Sequence, residues 1–321
     1  MGRPATKGTA TDVPEALADS GKTRTAAIRC LMSRRLAGLL ARQRFPRYRA
    51  AFGYGSAVIP QRSTAAPALV DAVLCVDDAR AWHAANVLRN PAHYSWLKTL
   101  GPAAIATAQA TYPGVYYNVT SELKYGVVAT ADLHRDLDAW TSLYVAGRLQ
   151  KPVVWVASDA ALSAAVTRNL RAALGAALLS FRPGHFFDER ELFAAIANLS
   201  YGGDVRFALR AEDPRKVRNI VEGGLGRFRT LYGPHVQVAI AAGALVRGDF
   251  GLMVRDAAWC LAHVPETLRG AARAGRLSGA LRSLVRFSSA AQTLKGALTA
   301  GPARAVGYAR RKLLKGSGYP S

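Results

Sequence analysis

The run Leu69 to Val76, apolar except for Asp71, follows a loop rich in Pro, Ser and Thr and ends at Asp77-Asp78. It reads as a β-strand. Asp78 then supplies an N-cap for a helix from Ala79 to Leu88, which Asn90-Pro91 stops. This strand-to-helix step commits the chain to a mixed fold. Further strands are expected at Ala50 to Phe52, Gly114 to Asn118, Leu123 to Val128 and Val153 to Val156, so the fold class is α/β (α+β).

Other features set the organisation. A length of 321 residues suggests two domains with appendages. Residues 1–24 lack periodicity and read as a disordered leader. The first 50 residues are Arg-rich, but Asp12, Glu15 and Asp19 are wrong for a transit peptide. From Thr25 to Arg44, Ile28, Leu31, Leu36, Leu39 and Leu40 recur at helical spacing, and Phe45-Pro46 ends that helix. A first domain is placed at 25–157. From Ala160 to Leu179 and Asp188 to Leu199 two helices are expected, then a Gly202-Gly203 break and a strand from Asp204 to Leu209. Helix, helix, strand is the order of a winged-helix unit, assigned to 158–265.

Charge narrows the partners. Lys and Arg number 43 against 21 Asp and Glu, a net charge of +22, which calls for a polyanionic partner or an anionic membrane surface. After Glu266 there is no acid, and Arg269, Arg273, Arg276, Arg282, Arg286, Lys295, Arg304, Arg310, Arg311, Lys312 and Lys315 supply half of that net charge. In the same segment Leu281, Leu284, Ser288, Ala291, Leu294 and Leu298 fall on one helical face, as do Val306, Ala309 and Leu313 after Gly301-Pro302. Residues 266–321 therefore read as a basic amphipathic, membrane-associating region. No apolar run approaches the roughly 18 residues a spanning helix needs, so no transmembrane segment is expected. The three cysteines, Cys30, Cys75 and Cys260, offer neither a disulfide framework nor a zinc ribbon, and suggest a reducing compartment.

Several constellations could carry chemistry. The Gly55-Ser56 turn, followed by a strand bearing Asp71, is the arrangement nucleotidyl transfer needs: glycine admits a triphosphate, the serine binds its oxygens and the carboxylate holds a divalent metal. A Gly-Ser turn and a strand aspartate also occur with no chemistry attached. Asp71 and Asp77 are roughly 20 Å apart along a strand, too far to share an ion. Asp204 is the candidate second ligand, and Asp77 and Asp78 read as caps. His83, Asn86 and Asn90 form one polar stripe on the helix, with His93, Tyr94 and Ser95 after the proline. They line either a cleft or a solvated face; zinc spacing is absent. Lys124, Arg148 and Lys151 could neutralise a triphosphate or a lipid phosphate, or be ordinary exposed cations.

The blocks Phe52-Gly53-Tyr54-Gly55-Ser56, Val70-Asp71 through Val76, Trp82-His83 with Asn86, Asn90-Pro91, His93-Tyr94-Ser95 and Gly114-Val115-Tyr116-Tyr117-Asn118 occur in order. They continue through Lys124-Tyr125-Gly126, Leu143 to Val153, Leu199-Ser200-Tyr201-Gly202-Gly203-Asp204, Lys216-Val217, Ser288-Ser289 and Lys295-Gly296. In this order the chain resembles the mitochondrial-type phosphatidate cytidylyltransferases, from about Phe45 to Gly301; Gly233 to Ala280 matches no block. The resemblance implies a nucleotidyltransferase-fold domain joined to a winged-helix-like domain. It implies CDP-diacylglycerol made from CTP and phosphatidic acid with Mg2+ and release of pyrophosphate, feeding phospholipid and cardiolipin synthesis. It further implies that Tyr54, Gly55 and Ser56 hold the triphosphate, that Asp71 binds the metal, and that Lys124, Arg148 and Lys151 contact phosphates. The expected location is peripheral, on the inner membrane: its cytoplasmic face in a bacterium, its matrix face in a mitochondrion. Two rivals stand beside this reading: an RNA-terminal nucleotidyltransferase and a non-catalytic membrane or nucleic-acid tether. The apolar C-terminal face with few aromatics argues against nucleic acid as partner.

Overall fold

The computed structural model describes residues 30–55, 69–205 and 215–300, so the leader at 1–24, Ser56 and the segment after 300 lie outside the described residues. The first helix, α1 (residues 30–42), presents Leu36, Leu39 and Leu40 to the core. Five strands follow: β1 (Ala50–Tyr54), β2 (Val70–Val76), β3 (Val115–Val119), β4 (Leu123–Ala129) and β5 (Val154–Ala157). Their order in the sheet is β3-β4-β2-β1-β5. The β2–β4 pair is parallel and the others antiparallel, a mixed sheet. Parallel neighbours need a crossover, which α2 (Ala79–Arg89), the 3-10 turn Trp96–Leu100 and α3 (Gly101–Ala110) provide. Asp78 caps α2 as expected, its carboxylate accepting from the Ala81 N–H at 2.9 Å.

Alternation along β2 sorts its side chains. Val70, Ala72, Leu74 and Val76 face α1 and Trp82, while Val73 and Cys75 face a second, larger core. That core is covered by α4 (Thr130–Ala139), the short α5 (Ala146–Leu149) and α6 (Ala160–Leu178). It then runs on without a break past Ala157, the predicted domain boundary, into α7 (Glu189–Asn198) and α8 (Lys216–Ala241). Phe193, Phe228 and Tyr232 stack there. A small antiparallel sheet of β6 (Phe186–Phe187), β7 (Leu245–Gly248) and β8 (Gly251–Val254), in the order β6-β8-β7, closes this part. The chain ends its described course in α9 (Ala257–His263), α10 (Glu266–Arg273) and α11 (Leu277–Ala300).

Two expectations are corrected here. Asp204 does not head a strand: it lies in an irregular turn and Val205 is helical, because the turn is closed by an Asp204 N–H bond to the Tyr201 carbonyl at 3.1 Å. Nor does α11 present one apolar face outward. Leu277, Leu281, Val285 and Ser288 are buried, whereas Leu294 and Leu298 point to solvent, because the apolar residues of this helix cover two faces and the protein occupies one of them. Lys295 is turned inward as well. Its ammonium donates to the Thr111 carbonyl at 2.7 Å and the Gln109 carbonyl at 3.4 Å, at the open C-terminal end of α3.

Candidate active site

Register lines up the first three residues. Tyr54 on β1 lies opposite Asp71 on β2, and Asp71 lies beside Lys124 on β4. Neighbouring strands are about 4.8 Å apart, so phenol, carboxylate and ammonium start side by side on one sheet face. Gly55 follows with φ of +79°, and a Cβ there would come 3.4 Å from the Asp71 carboxylate. Glycine thus leaves the chain room to turn past that oxygen. The predicted pairing of Gly55 with Asp71 is therefore present in space; Ser56 lies outside the described residues.

A chain of cations and rings spreads from this row. The Tyr54 and Tyr117 hydroxyls are 3.1 Å apart, and the Lys124 ammonium lies 4.9 Å from the Tyr117 ring. The Arg148 guanidinium packs 4.0 Å from the Tyr144 ring and 5.0 Å from the Tyr54 ring, and donates to the Tyr144 carbonyl. Lys151, one turn further, donates to the Gly147 carbonyl and to the Ser200 hydroxyl at 2.6 Å. The Tyr201 ring lies 4.9 Å from the Lys151 ammonium and 5.9 Å from that of Lys216, at the start of α8. Each of these cations meets the negative face of an aromatic ring. All are half-buried: shielded enough for electrostatics to be strong, open enough for a ligand to reach.

Burial and like charge act on Lys151. Removal from water, then the nearby Arg148 and Lys216 charges, push its pKa down to about 7. Burial raises the Tyr54 phenol, which stays protonated at neutral pH. The result is a concentration of positive charge around one sheet-borne carboxylate, suited to a polyphosphate.

What fixes this geometry was not foreseen. Asp136, buried on α4, accepts from the Ser142, Leu143, Val145 and Ala146 N–H groups at 2.8 to 3.0 Å and from the Ser142 hydroxyl at 2.9 Å. It thereby caps α5, which carries Arg148, and holds Leu143 at φ of 54°. Asn169 completes the clamp, donating to the Ala146 carbonyl at 3.0 Å and accepting from the Trp140 indole at 2.8 Å. The sequence does carry a signal: Asp136 sits with Leu133, Leu137 and Trp140 on the apolar stripe of α4, an unusual place for an acid. Lys216, Tyr144 and Tyr201 were likewise given no role in advance.

The predicted polar stripe has a different fate. His83, Asn86 and Tyr94 are core groups, neither solvated nor on a cleft wall. The His83 Nε2–H donates to Gln109 at 2.8 Å and its Nδ1 accepts from the Tyr94 hydroxyl at 2.7 Å. Asn86 donates to the Tyr94 hydroxyl at 2.9 Å and the Tyr125 hydroxyl at 3.1 Å, and half-buried His93 accepts from Tyr125 at 3.0 Å. Burial pushes the His83 pKa down to about 4, so the network stays neutral. It staples α2 and α3 to the sheet. Asp204, the other predicted metal ligand, is buried in the turn that carries Ser200 and Tyr201.

The arrangement defines a mixed α/β protein in which a sheet-borne carboxylate and lysine, Asp71 and Lys124, stand at one end of a series of cations and tyrosine rings. Residues 37–248 match the family described as phosphatidate cytidylyltransferase, mitochondrial. Mouse (Mus musculus) mitochondrial phosphatidate cytidylyltransferase is 39% identical over 304 residues, covering 83% of this chain and 89% of the relative. The human (Homo sapiens) protein of that name is 45% identical over 198 residues, covering 58% of this chain and 43% of its own, and the yeast (Saccharomyces cerevisiae) protein is 34% identical over 82% and 66%. The chain belongs to the mitochondrial-type phosphatidate cytidylyltransferase family.

Proposed function

We propose that this protein transfers CMP from CTP to phosphatidic acid. A phosphate oxygen of phosphatidate attacks the α-phosphorus of CTP, the bond to the β-phosphate breaks, and CDP-diacylglycerol and pyrophosphate leave. The acceptor is already an anion, so no protein nucleophile is required, and catalysis rests on positioning and charge. The observation that carries the reading is Lys124 beside Asp71, with Arg148 against the Tyr54 ring opposite Asp71 and Lys151 and Lys216 following around Tyr201, in a member of this family.

In this proposal Tyr54, Gly55 and Ser56 face the triphosphate, Lys124 and Arg148 neutralise phosphates near the reacting centre, and Lys151 with Lys216 receives the leaving pyrophosphate. Mg2+ usually takes one or two protein carboxylates and completes its shell with water and substrate phosphates. That donor set fits Asp71, beside whose oxygen the glycine at position 55 leaves room. Among the described residues no group of three or more His, Cys, Asp or Glu makes an all-protein cage. Asp204 is the second carboxylate of the proposal. When bound, the ion supplies charge neutralisation along the triphosphate.

The five-stranded mixed sheet supports a nucleotidyltransferase domain, and α6, α7 and the small antiparallel sheet support a winged-helix-like one. No helix among the described residues is long and apolar enough to cross a membrane. We assign peripheral attachment to an inner membrane through the basic region 266–321, where the product feeds phospholipid and cardiolipin synthesis. The test is incubation with Mg2+, labelled CTP and phosphatidic acid vesicles, with tRNA as competing acceptor. Label should enter CDP-diacylglycerol with matching pyrophosphate release, and Asp71→Asn should abolish it. Label in tRNA, or turnover that survives Asp71→Asn, would overturn the reading.

A further inference from the structure

One residue beside the cations belongs to neither the sheet nor the rings. Ser200 lies in the turn that follows α7. Its hydroxyl accepts from the Lys151 ammonium at 2.6 Å and donates to the Gly147 carbonyl at 3.4 Å, while the ammonium donates to that same carbonyl. A cation, a hydroxyl and one shared backbone oxygen thus close a small ring of contacts.

The fold leaves room for this contact at a defined position. A Cβ on Gly147 would lie 2.4 Å from the Ser200 Cβ and 3.0 Å from its Oγ, closer than such atoms pack. Gly147 sits within α5, where glycine is a poor helix former, and its φ is not among the positive ones. The missing side chain is accounted for by the approach of Ser200. On its other side the turn is tied down. The Tyr201 and Gly202 N–H groups return to the Asn198 carbonyl at 3.1 and 2.8 Å, and the Val205 N–H donates to the Ser289 hydroxyl on α11 at 3.2 Å. Gly203 packs so closely on the Arg282 carbonyl that a Cβ would overlap it. The backbone that carries Ser200 is therefore pinned between α5 and α11.

A hydroxyl suits the lysine it meets. The charges acting on Lys151 are Arg148 from α5 and Lys216 from α8, with the Tyr201 ring between the two lysines. Burial and these neighbours bring its pKa down to about 7, so both charge states are within reach. A carbonyl only accepts, whereas a hydroxyl accepts and donates. Ser200 accepts from the ammonium and can donate to the amine once the proton is lost, so the side chain keeps its place in either state.

We propose that Ser200 is a positioning residue: its hydroxyl aims the Lys151 side chain at the leaving pyrophosphate, and position 147 is glycine so that this serine can reach the lysine. This rests on the cytidylyl-transfer reading above and deepens it by naming the group that holds Lys151. Ser200 itself touches no phosphate.

The test, on the full-length protein, separates the hydroxyl from the space it fills. Ser200→Ala removes the hydroxyl alone. In Gly147→Ala/Ser200→Gly a methyl crosses to the other side of the contact, so the packing is refilled while the hydroxyl is still lost. The first readout needs no substrate: the Lys151 Cε signal, assigned by its absence in Lys151→Arg, is titrated by NMR. A hydrogen bond from an ammonium is stronger than one from a neutral amine, so both variants should titrate about half a unit to one unit below wild type. The second readout is kinetic, with phosphatidic acid vesicles. The KM for CTP and the inhibition constant of inorganic pyrophosphate should each rise about tenfold, while the KM for phosphatidic acid stays as in wild type. Loss of stability alone would move neither the titration nor this split. A wild-type Lys151 titration in both variants, equal changes in the two KM values, or recovery of wild-type behaviour in the double variant would each overturn the positioning role. Wild-type protein that shows the Ser200-dependent titration but turns over no CTP would instead sink the activity proposed above and leave the Ser200–Lys151 pair standing.

Discussion

Lys151 offers the sharpest handle on the site, because its charge is conditional. Burial, with Arg148 and Lys216 adding repulsion, holds its pKa at about 7, against 10.5 for a free lysine. A bound triphosphate brings compensating negative charge, so the pKa rises in the complex and binding above about pH 7 takes up a proton. For one linked proton, nucleotide affinity falls by about tenfold per pH unit, from the pKa of the free site up to that of the complex. Above about pH 7.5 the nucleotide phosphates are already ionised, so the slope there belongs to the protein. Calorimetric titration of CTP across this range, in two buffers of different ionisation enthalpy, measures both affinity and proton uptake. Wild type should take up close to one proton. Lys151→Arg, whose guanidinium stays charged, should take up none and show a flat profile. A flat wild-type profile, or equal slopes in the two proteins, would refute the reasoning. The sign for stability is opposite: between about pH 7 and 10.5 the unfolded chain holds the proton that the folded one has lost. Stability of the free protein from this group therefore rises with pH across that window, and Lys151→Met should remove the rise in chemical denaturation.

Replacing Asp136 by Ala orphans four backbone N–H groups around α5, so denaturant unfolding should register a loss of about 3–5 kcal/mol. A loss below about 1 kcal/mol would show that the clamp is redundant. Arg148→Lys keeps the charge but gives up the planar stack on Tyr54 and Tyr144, and should weaken nucleotide binding by about tenfold with little change in stability. Gly203→Ala drives a methyl into the Arg282 carbonyl and should cost about 1–3 kcal/mol, with faster proteolysis of α11 as the accompanying readout.

How much of this was legible depended on how local each determinant is. The strand Val70–Val76 and its capped helix were readable because alternation, cap and stop signal lie within about twenty residues of sequence. Asp71, Gly55, Lys124, Arg148 and Lys151 were readable as residue types. The fate of His83 and Asn86 was not, because their partners Tyr94, Gln109 and Tyr125 come from three other segments. Polar groups at helical spacing look alike in sequence whether water or a tyrosine satisfies them. The hairpin of β7 and β8 was missed for a related reason: four-residue strands with an exposed Arg247, joined by a turn with an exposed Phe250, give almost no periodic signal. On α11, spacing predicted an apolar face but could not say that the protein itself had claimed half of it.

The tyrosines explain how a free protein tolerates the cation row at all. Two unit charges on the order of 10 Å apart repel by on the order of 1–2 kcal/mol at an effective dielectric of about 20. Lys151 and Lys216 flank one ring, and Arg148 lies against two others, so each charge meets a π-face in place of a second bare cation. Rings soften the repulsion without cancelling it, since they bring no net charge. Arginine cannot relieve the remainder by losing a proton, and a buried lysine can. Lys151, enclosed by Gly147 and Ser200 between Arg148 and Lys216, is the place where that relief occurs. A polyphosphate bound as proposed above would supply the same relief from outside and return the proton.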